Sequence, residues 1–329
     1  MHTETPTTTR PESARNRYLA NLWEDAGMLI VYAVMFAVVS LTVPYFLSVQ
    51  NLIGLSLSVS QVGMLACTML FCLAAGDFDL SIGSVVAFAG CFNAVLMLIM
   101  PGHIVVPVLA TLLVSLLIGL FNGFVIAKVG INALITTLAT MQIVRGLGFI
   151  MSGGVAVGIA NDAFYLLGNG TFLGVPVPIW VTLLSFLIFG FLLNRTVFGR
   201  NALAIGGNKE AARLSGIDVD RTKMVIFSLQ GLMAGAAGVI LSSRITSGQP
   251  NASQGFELDV ISACVLGGVS LSGGLGTMVG TVVGVLIMGT VQNVLNLLNV
   301  PTFYQYVVRG TVLLLAVLFD QLKQRRAAA

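Results

Sequence analysis

Apolar runs long enough to cross a bilayer recur from Gly27 almost to the C-terminus of this 329-residue chain, and they leave few folds open. A hydrocarbon core about 30 Å thick takes roughly 20 apolar residues as a helix. Within it, backbone N–H and C=O groups must be paired inside the protein, which an α-helix does with its own residues. The chain is 57% hydrophobic and only 9% charged. Soluble domains carry roughly 25% charged residues, so a soluble fold is excluded. The expected fold is all-α: a polytopic membrane protein.

The spacing predicts about ten transmembrane helices, over residues 27–47, 51–75, 80–100, 104–128, 131–151, 176–194, 224–243, 257–272, 276–298 and 303–320. Pro101-Gly102-His103 and Asn299-Val300-Pro301 separate neighbouring runs with residues that stop helices. The run over 257–272 is the least regular, being short and broken by Gly267 and Gly268. Residues 1–26 read as a disordered tail, 27–320 as the membrane domain and 321–329 as a basic tail. No cleavable signal peptide is expected, because the first apolar run starts late and lacks a small-residue cleavage site.

Positive charge orients the runs. Arg10, Arg15 and Arg17 lie before the first run, Lys128 follows the fourth, and Lys323, Arg325 and Arg326 follow the last. The positive-inside rule then makes both termini cytoplasmic and places residues 152–175 and 244–256 outside. A polar island, Asn194 to Lys223, follows the sixth run and adds Arg195, Arg200, Lys209, Arg213, Arg221 and Lys223 to the cytoplasmic side.

Within that island, Asn208, Lys209, Glu210, Ala211, Ala212, Arg213, Leu214, Ser215 and Gly216 have the grammar of a short helix. Asn208 is a good N-cap, Glu210 complements the positive helix end, the alanines favour helix, and Gly216 suits a left-handed C-terminal position. A helix of about two turns is marginal in water, so it needs something to dock on. A solvated loop whose charge only fixes topology is the plainer alternative.

Gly199 through Ile217 resembles the cytoplasmic loop of bacterial ABC sugar-importer permeases of the ribose, galactose and arabinose type. Gly76-Asp-Phe-Asp-Leu-Ser-Ile-Gly-Ser84 is similar to that family's Gly-x-Asp-Leu-Ser motif, and Leu266-Gly-Gly-Val-Ser-Leu-Ser-Gly-Gly274 to its second glycine-rich segment. Asn132 to Gly146, Thr246 to Pro250 and Gln305 to Gly310 are similar to the arabinose-importing members. The resemblance covers almost the whole chain; the N-terminal tail departs from it. It implies an inner-membrane permease subunit, paired as a homodimer, moving a monosaccharide delivered by a periplasmic sugar-binding protein. It also implies that residues 195–223 form a coupling loop, with Asn208 to Gly216 seated in a cleft of a separate ATPase subunit. L-Arabinose is the first expectation for the sugar, with ribose, galactose or xylose as alternatives.

The chain itself is expected to be non-catalytic and to need no cofactor. No Gly-x-x-x-x-Gly-Lys-Ser/Thr loop occurs, so ATP and magnesium belong to the partner. His2 and His103 stand in no nucleophile arrangement, and no basic patch with interleaved aromatics points to nucleic acid. Cys67, Cys72, Cys91 and Cys264 lie in apolar runs without metal spacing and read as packing residues.

Residues for the sugar path are sought among polar groups in apolar surroundings. Asp77 and Asp79, with Ser81, stand where one run ends and the next begins; a carboxylate at membrane depth is costly and defaults to function. The plainer reading of this pair is an N-cap at the cytoplasmic edge. Asn132, Thr136 and Thr140 share a helix face, as do Asn293, Asn296 and Asn299. Both stripes offer hydroxyls weak hydrogen bonds, or else bond within and between helices. Arg145 and Arg309 need partners, which Glu257 or Asp259 can supply. Residues 247–251 read as an exposed turn where the binding protein docks. Glycine repeats at 231/235 and 276/280/284 read as packing seams. An ion-coupled secondary transporter using Asp77 or Asp79, or a passive sugar channel, is the competing class.

Overall fold

The computed structural model describes the backbone of residues 14–328, with side chains from Gly27 to Leu322 except Phe319. Residues 1–13 of the expected tail lie outside the described residues. The helices are α1 (Ala14–Thr42), α2 (Val49–Ala74), α3 (Ile82–Ile99), α4 (Val105–Phe124), α5 (Ala133–Ser152), α6 (Asp162–Asn169) and α7 (Val177–Arg195). They continue as α8 (Val197–Gly207), α9 (Lys209–Leu214), α10 (Val219–Arg244), α11 (Phe256–Leu266), α12 (Met278–Leu297) and α13 (Thr302–Ala328). A π-helical turn, Val125–Val129, extends α4. Four two-residue strands, β1 (Val157–Gly158), β2 (Thr171–Phe172), β3 (Val175–Pro176) and β4 (Ser247–Gly248), form two antiparallel pairs, β1 with β4 and β2 with β3.

Eight of the described helices are long and apolar enough to cross a membrane: α2, α3, α4 with its extension, α5, α7, α10, α12 and α13. In α1 the apolar part runs over Gly27–Thr42, and the helix starts at Ala14, inside the stretch that reads as a tail. Burial sorts the bundle into layers. The apolar windows of α2 and α3 are 78% and 72% buried, whereas those of α5 and α7 are 28% buried, so α2 and α3 form the centre. On α4, Leu109, Leu113, Leu117 and Phe121 repeat every four residues and are exposed, an outward apolar stripe suited to lipid. The glycine repeats pack inside the chain: Gly231 lies on Gly119 of α4, and Gly280 and Gly284 lie on Gly267 and Ala263.

The run expected over 257–272 is realised as only eleven helical residues, α11. At 1.5 Å per residue that is about 16 Å, half the apolar layer. It stops because Gly268 takes φ +80° and closes a Schellman-type cap: the Gly268 N–H donates to Val265 O and the Val269 N–H to Cys264 O, at 2.9 and 3.0 Å. α2 ends identically at Gly76, φ +78°, with Gly76 N–H to Leu73 O and Asp77 N–H to Cys72 O, both 2.9 Å. The two breaks then meet, the Gly274 N–H donating to Ala74 O at 2.9 Å.

The connection between α10 and α11 differs most from expectation. Instead of an exposed turn, Gly248 and Pro250 are buried, leaving Gln249 and Asn251 outward. Gly248 packs on Gly90 and Cys91 of α3, while Ser253 and Glu257 reach Gly83, two turns nearer the start of α3. The connection therefore doubles back into the bundle, and α11 begins at depth. Arg145 of α5 holds it there, donating from Nη1 to Pro250 O at 2.9 Å and to Ala252 O at 2.7 Å. An irregular backbone needs such partners where no water supplies them.

Candidate functional site

The α2–α3 break gathers several of the polar residues singled out from sequence. Asp77 Oδ2 lies 2.7 Å from Lys223 Nζ in the first turns of α10, with both side chains buried. Burial pushes the Asp77 carboxyl above its usual range, opposed by Lys223 and then Lys209. Asp79 accepts from the Ser81 N–H at 2.9 Å and the Ser81 hydroxyl at 2.6 Å. Burial raises its carboxyl too, and those two donors oppose the rise. The Asn122 amide donates to Ser81 Oγ at 3.1 Å, and the Thr140 hydroxyl donates to Asn122 Oδ1 at 2.6 Å. A continuous chain thus ties the start of α3 to α4 and α5. Asn122 is the member that sequence reasoning missed; its signal was a lone amide in an otherwise apolar run.

The two expected stripes divide. Thr136 and Thr140 face inward, Thr136 with a buried hydroxyl that has no partner. Asn132 is exposed and caps α5, accepting from the Leu134 N–H at 2.8 Å. Asn293 and Asn51 exchange amide hydrogen bonds of 2.7 and 3.0 Å, joining α12 to α2. Asn296 is exposed and accepts from Gln305 Nε2 at 3.0 Å, joining α12 to α13. These asparagines sit at the opposite end of the bundle from the α2–α3 break.

The island folds as two helices, of which sequence reasoning found one. α8 starts where the Thr196 hydroxyl accepts from the Gly199 N–H, buries Ala202 and Ile205, and stacks Phe198 on Phe71 of α2 with centroids 5.4 Å apart. Its last turn brings Gly206 against the Ala74 carbonyl and the Gly274 N–H, so a Cβ there has no room. α8 is therefore seated directly on the junction of the two breaks. Asn208 then caps α9, accepting from the Ala211 N–H at 2.9 Å, and Gly216 closes it at φ +85°. Ala212 is the buried residue of α9; Lys209, Glu210, Ala211 and Arg213 are exposed, and Leu214 is 89% exposed. Arg213 and Lys128 both pair with Asp220, at 3.5 and 3.2 Å, fixing α9 beside α10 and the extension of α4.

A polar chamber of about 330 Å³ lies toward the other end, where α11 begins. Its walls come from α2, α10, the α10–α11 connection, α11, α12 and α13, through Gln61, Arg244, Ser253, Phe256, Asp259, Gln292 and Arg309. Arg309 Nη1 lies 3.2 Å from Asp259 Oδ2. In the sequence only Arg309, a cation in need of a partner, and Asp259, one candidate for that partner, pointed to the chamber. A groove of about 390 Å³ between α1, α2, α7 and α12 is lined instead by residues such as Phe36, Leu55, Val59 and Phe186 and carries no charge.

Residues 51–317 match the family described as branched-chain amino acid transport system / permease component. The L-arabinose transport system permease protein AraH of Escherichia coli (strain K12) is 58% identical over 92% of this chain and 92% of its own length. The L-arabinose ABC transporter permease protein AraH of Azospirillum brasilense is 54% identical, covering 92% of this chain and 89% of its own. The ribose import permease protein RbsC of Bacillus subtilis (strain 168) is 45% identical, covering 91% and 94%. No solved structure matches the chain. With its apolar helices, its glycine-closed breaks and a family match across residues 51–317, the chain belongs to this family of ABC-transporter permeases, multi-pass transport subunits of the inner membrane.

Proposed function

We infer that this permease forms the membrane path of an ATP-driven L-arabinose importer. The observation that carries the reading is 58% identity, over 92% of both chains, to an L-arabinose permease. The family description names amino acids, so the substrate rests on these relatives and not on the family. A separate ATPase subunit supplies ATP and magnesium, a periplasmic sugar-binding protein delivers the sugar, and two permease copies sit above two ATPases.

The island supports a route for the work. α9 presents Leu214 and Arg213 outward on a helix anchored by Ala212, a shape suited to a cleft in the ATPase. α8 follows α9's neighbour Asn208 back to Gly206, whose backbone abuts both breaks. Movement of α9 is thereby passed to the ends of α2 and α11, and to the Asp77–Lys223 pair beside them. Because packed glycine backbones cannot compress, the shift is transmitted rather than absorbed.

The test is uptake of radiolabelled sugars by proteoliposomes holding the permease with its ATPase and binding protein. ATP-dependent uptake of L-arabinose in preference to ribose, galactose and xylose is expected. Uptake by the permease alone on an ion gradient, or equal preference for another sugar, overturns the assignment.

A further inference from the structure

We propose that the chamber at the start of α11 is a binding station within the membrane for a neutral sugar carrying vicinal hydroxyls. The proposal rests on the importer reading above and adds the place and the groups by which this chain itself holds its cargo.

The first observation is unspent hydrogen-bonding capacity. Asp259 Oδ1, Arg309 Nε and Gln292 Nε2 are all buried without a hydrogen-bond partner, and all three residues line the chamber. Gln292 stands near enough to Asp259 to act as a side-chain hydrogen-bond partner of its carboxylate, at a geometry that falls short of a full bond, so the firmest unspent group is Arg309 Nε. Leaving a buried polar atom unbonded costs roughly 1–3 kcal/mol, so Arg309 Nε without an acceptor, beside an Asp259–Gln292 contact that leaves further acceptor capacity on the carboxylate, marks a place built for a guest.

The second observation is the character of those groups. The ion pair uses one oxygen of Asp259 and one terminal nitrogen of Arg309, leaving an acceptor and a donor side by side. An adjacent pair of hydroxyls satisfies such a set, one donating to the carboxylate and its neighbour accepting from the guanidinium. Arg309 is steadied from behind by the Tyr306 ring, 5.9 Å from its guanidinium carbon. Gln61 adds a second amide, and Phe256 adds an aromatic face for the apolar side of a sugar ring. Asp259 and Arg309 balance each other, and Arg244, which no carboxylate pairs among the described residues, adds a further donor at the wall; the hydroxyls of a neutral sugar can accept from it while also donating to Asp259.

The third observation is position. A chamber of about 330 Å³ falls in the usual range for a small-molecule pocket. The wall is drawn from the first half of α2 and α13 and the last turns of α10 and α12, all remote from α8 and α9. Toward the island the way is closed by buried Val260, Ile261, Ala263 and Cys264 of α11 and by the joined breaks. A broken helix starting at a polar chamber in the membrane is the arrangement in which irregular backbone is tolerated at depth.

Asp259→Asn is the obvious variant but removes one half of a buried ion pair and threatens folding. Gln61→Leu and Gln292→Leu remove amides of similar size and leave the pair intact. Each is to be assembled with the ATPase and binding protein in proteoliposomes and compared with wild type on L-arabinose and on a deoxy analogue that wild type also carries. The expected result is at least a tenfold loss of L-arabinose uptake, with less than a threefold loss for the analogue lacking the hydroxyl in question. Uptake of L-arabinose within twofold of wild type in both variants overturns the proposal, as does an equal loss for sugar and analogue. If the unmutated complex carries a different sugar, the substrate assignment fails at that step, and the same comparison on the sugar it does carry still decides the chamber.

Discussion

Asp77 and Lys223 show how one residue's meaning depends on another far along the chain. In the sequence Asp77 is a carboxylate between two apolar runs, and Lys223 is the last charge of the island. In the fold they form a buried pair at 2.7 Å beside the junction under α8. Removing one member strands the other: Lys223→Met is expected to destabilise the protein by about 3–5 kcal/mol. Asp77→Leu with Lys223→Met removes both charges together and is expected to recover most of that loss. Thermal unfolding of the purified permease in detergent checks this, since the double variant should melt well above the single one. Asp79 is bound differently, held by Ser81 in the manner of a turn-closing carboxylate and sealed within the Ser81–Asn122–Thr140 chain. Its contact with Ser81 was legible because it spans two residues; Thr140 was picked out only as part of a helix face and Asn122 not at all, because their partners lie on other helices.

At the scale of elements, helix ends were easier to read than helix seats. The caps of α9, Asn208 and Gly216, follow from local backbone chemistry and stand where the sequence put them. α8 was hidden, because its Thr196 cap precedes a stretch rich in glycine and its buried face of Ala202 and Ile205 is narrow. The two elements predict separable failures. Ala211→Glu with Gly216→Pro alters the outward face of α9 and puts a fixed negative φ where +85° is required; co-purification of the ATPase should be lost while membrane insertion persists. Gly206→Val instead drives a side chain into the Ala74 carbonyl. There the ATPase should still co-purify, and ATP-driven sugar uptake should fall at least tenfold. Pull-down and uptake measured on the same preparations distinguish the two.

At the scale of the whole molecule, the island and the loop between α5 and α7 occupy opposite ends of the bundle. The four cysteines, Cys67, Cys72, Cys91 and Cys264, are all buried, which leaves a quiet background for single exposed thiols. Leu214→Cys on α9 and Leu173→Cys near β2 replace residues that are 89% and 78% exposed. A membrane-impermeant maleimide should label the first only in inside-out vesicles and the second only in right-side-out vesicles. Labelling of both from one side would break the orientation that the positive residues indicate. Sequence alone determined that this chain is a helical membrane protein, roughly where its apolar runs lie, and where α9 begins and ends. Those properties are written in hydropathy and capping, which act within a turn or a span and need no knowledge of neighbours. Tertiary structure alone decided that α11 is half a span, that its connection folds inward under Arg145, and that α8 rests on both breaks. It also brought Gln61, Asp259, Gln292 and Arg309 to one chamber. Each of these depends on close approach between residues from distant runs, and an apolar run carries no mark of which other run it will face.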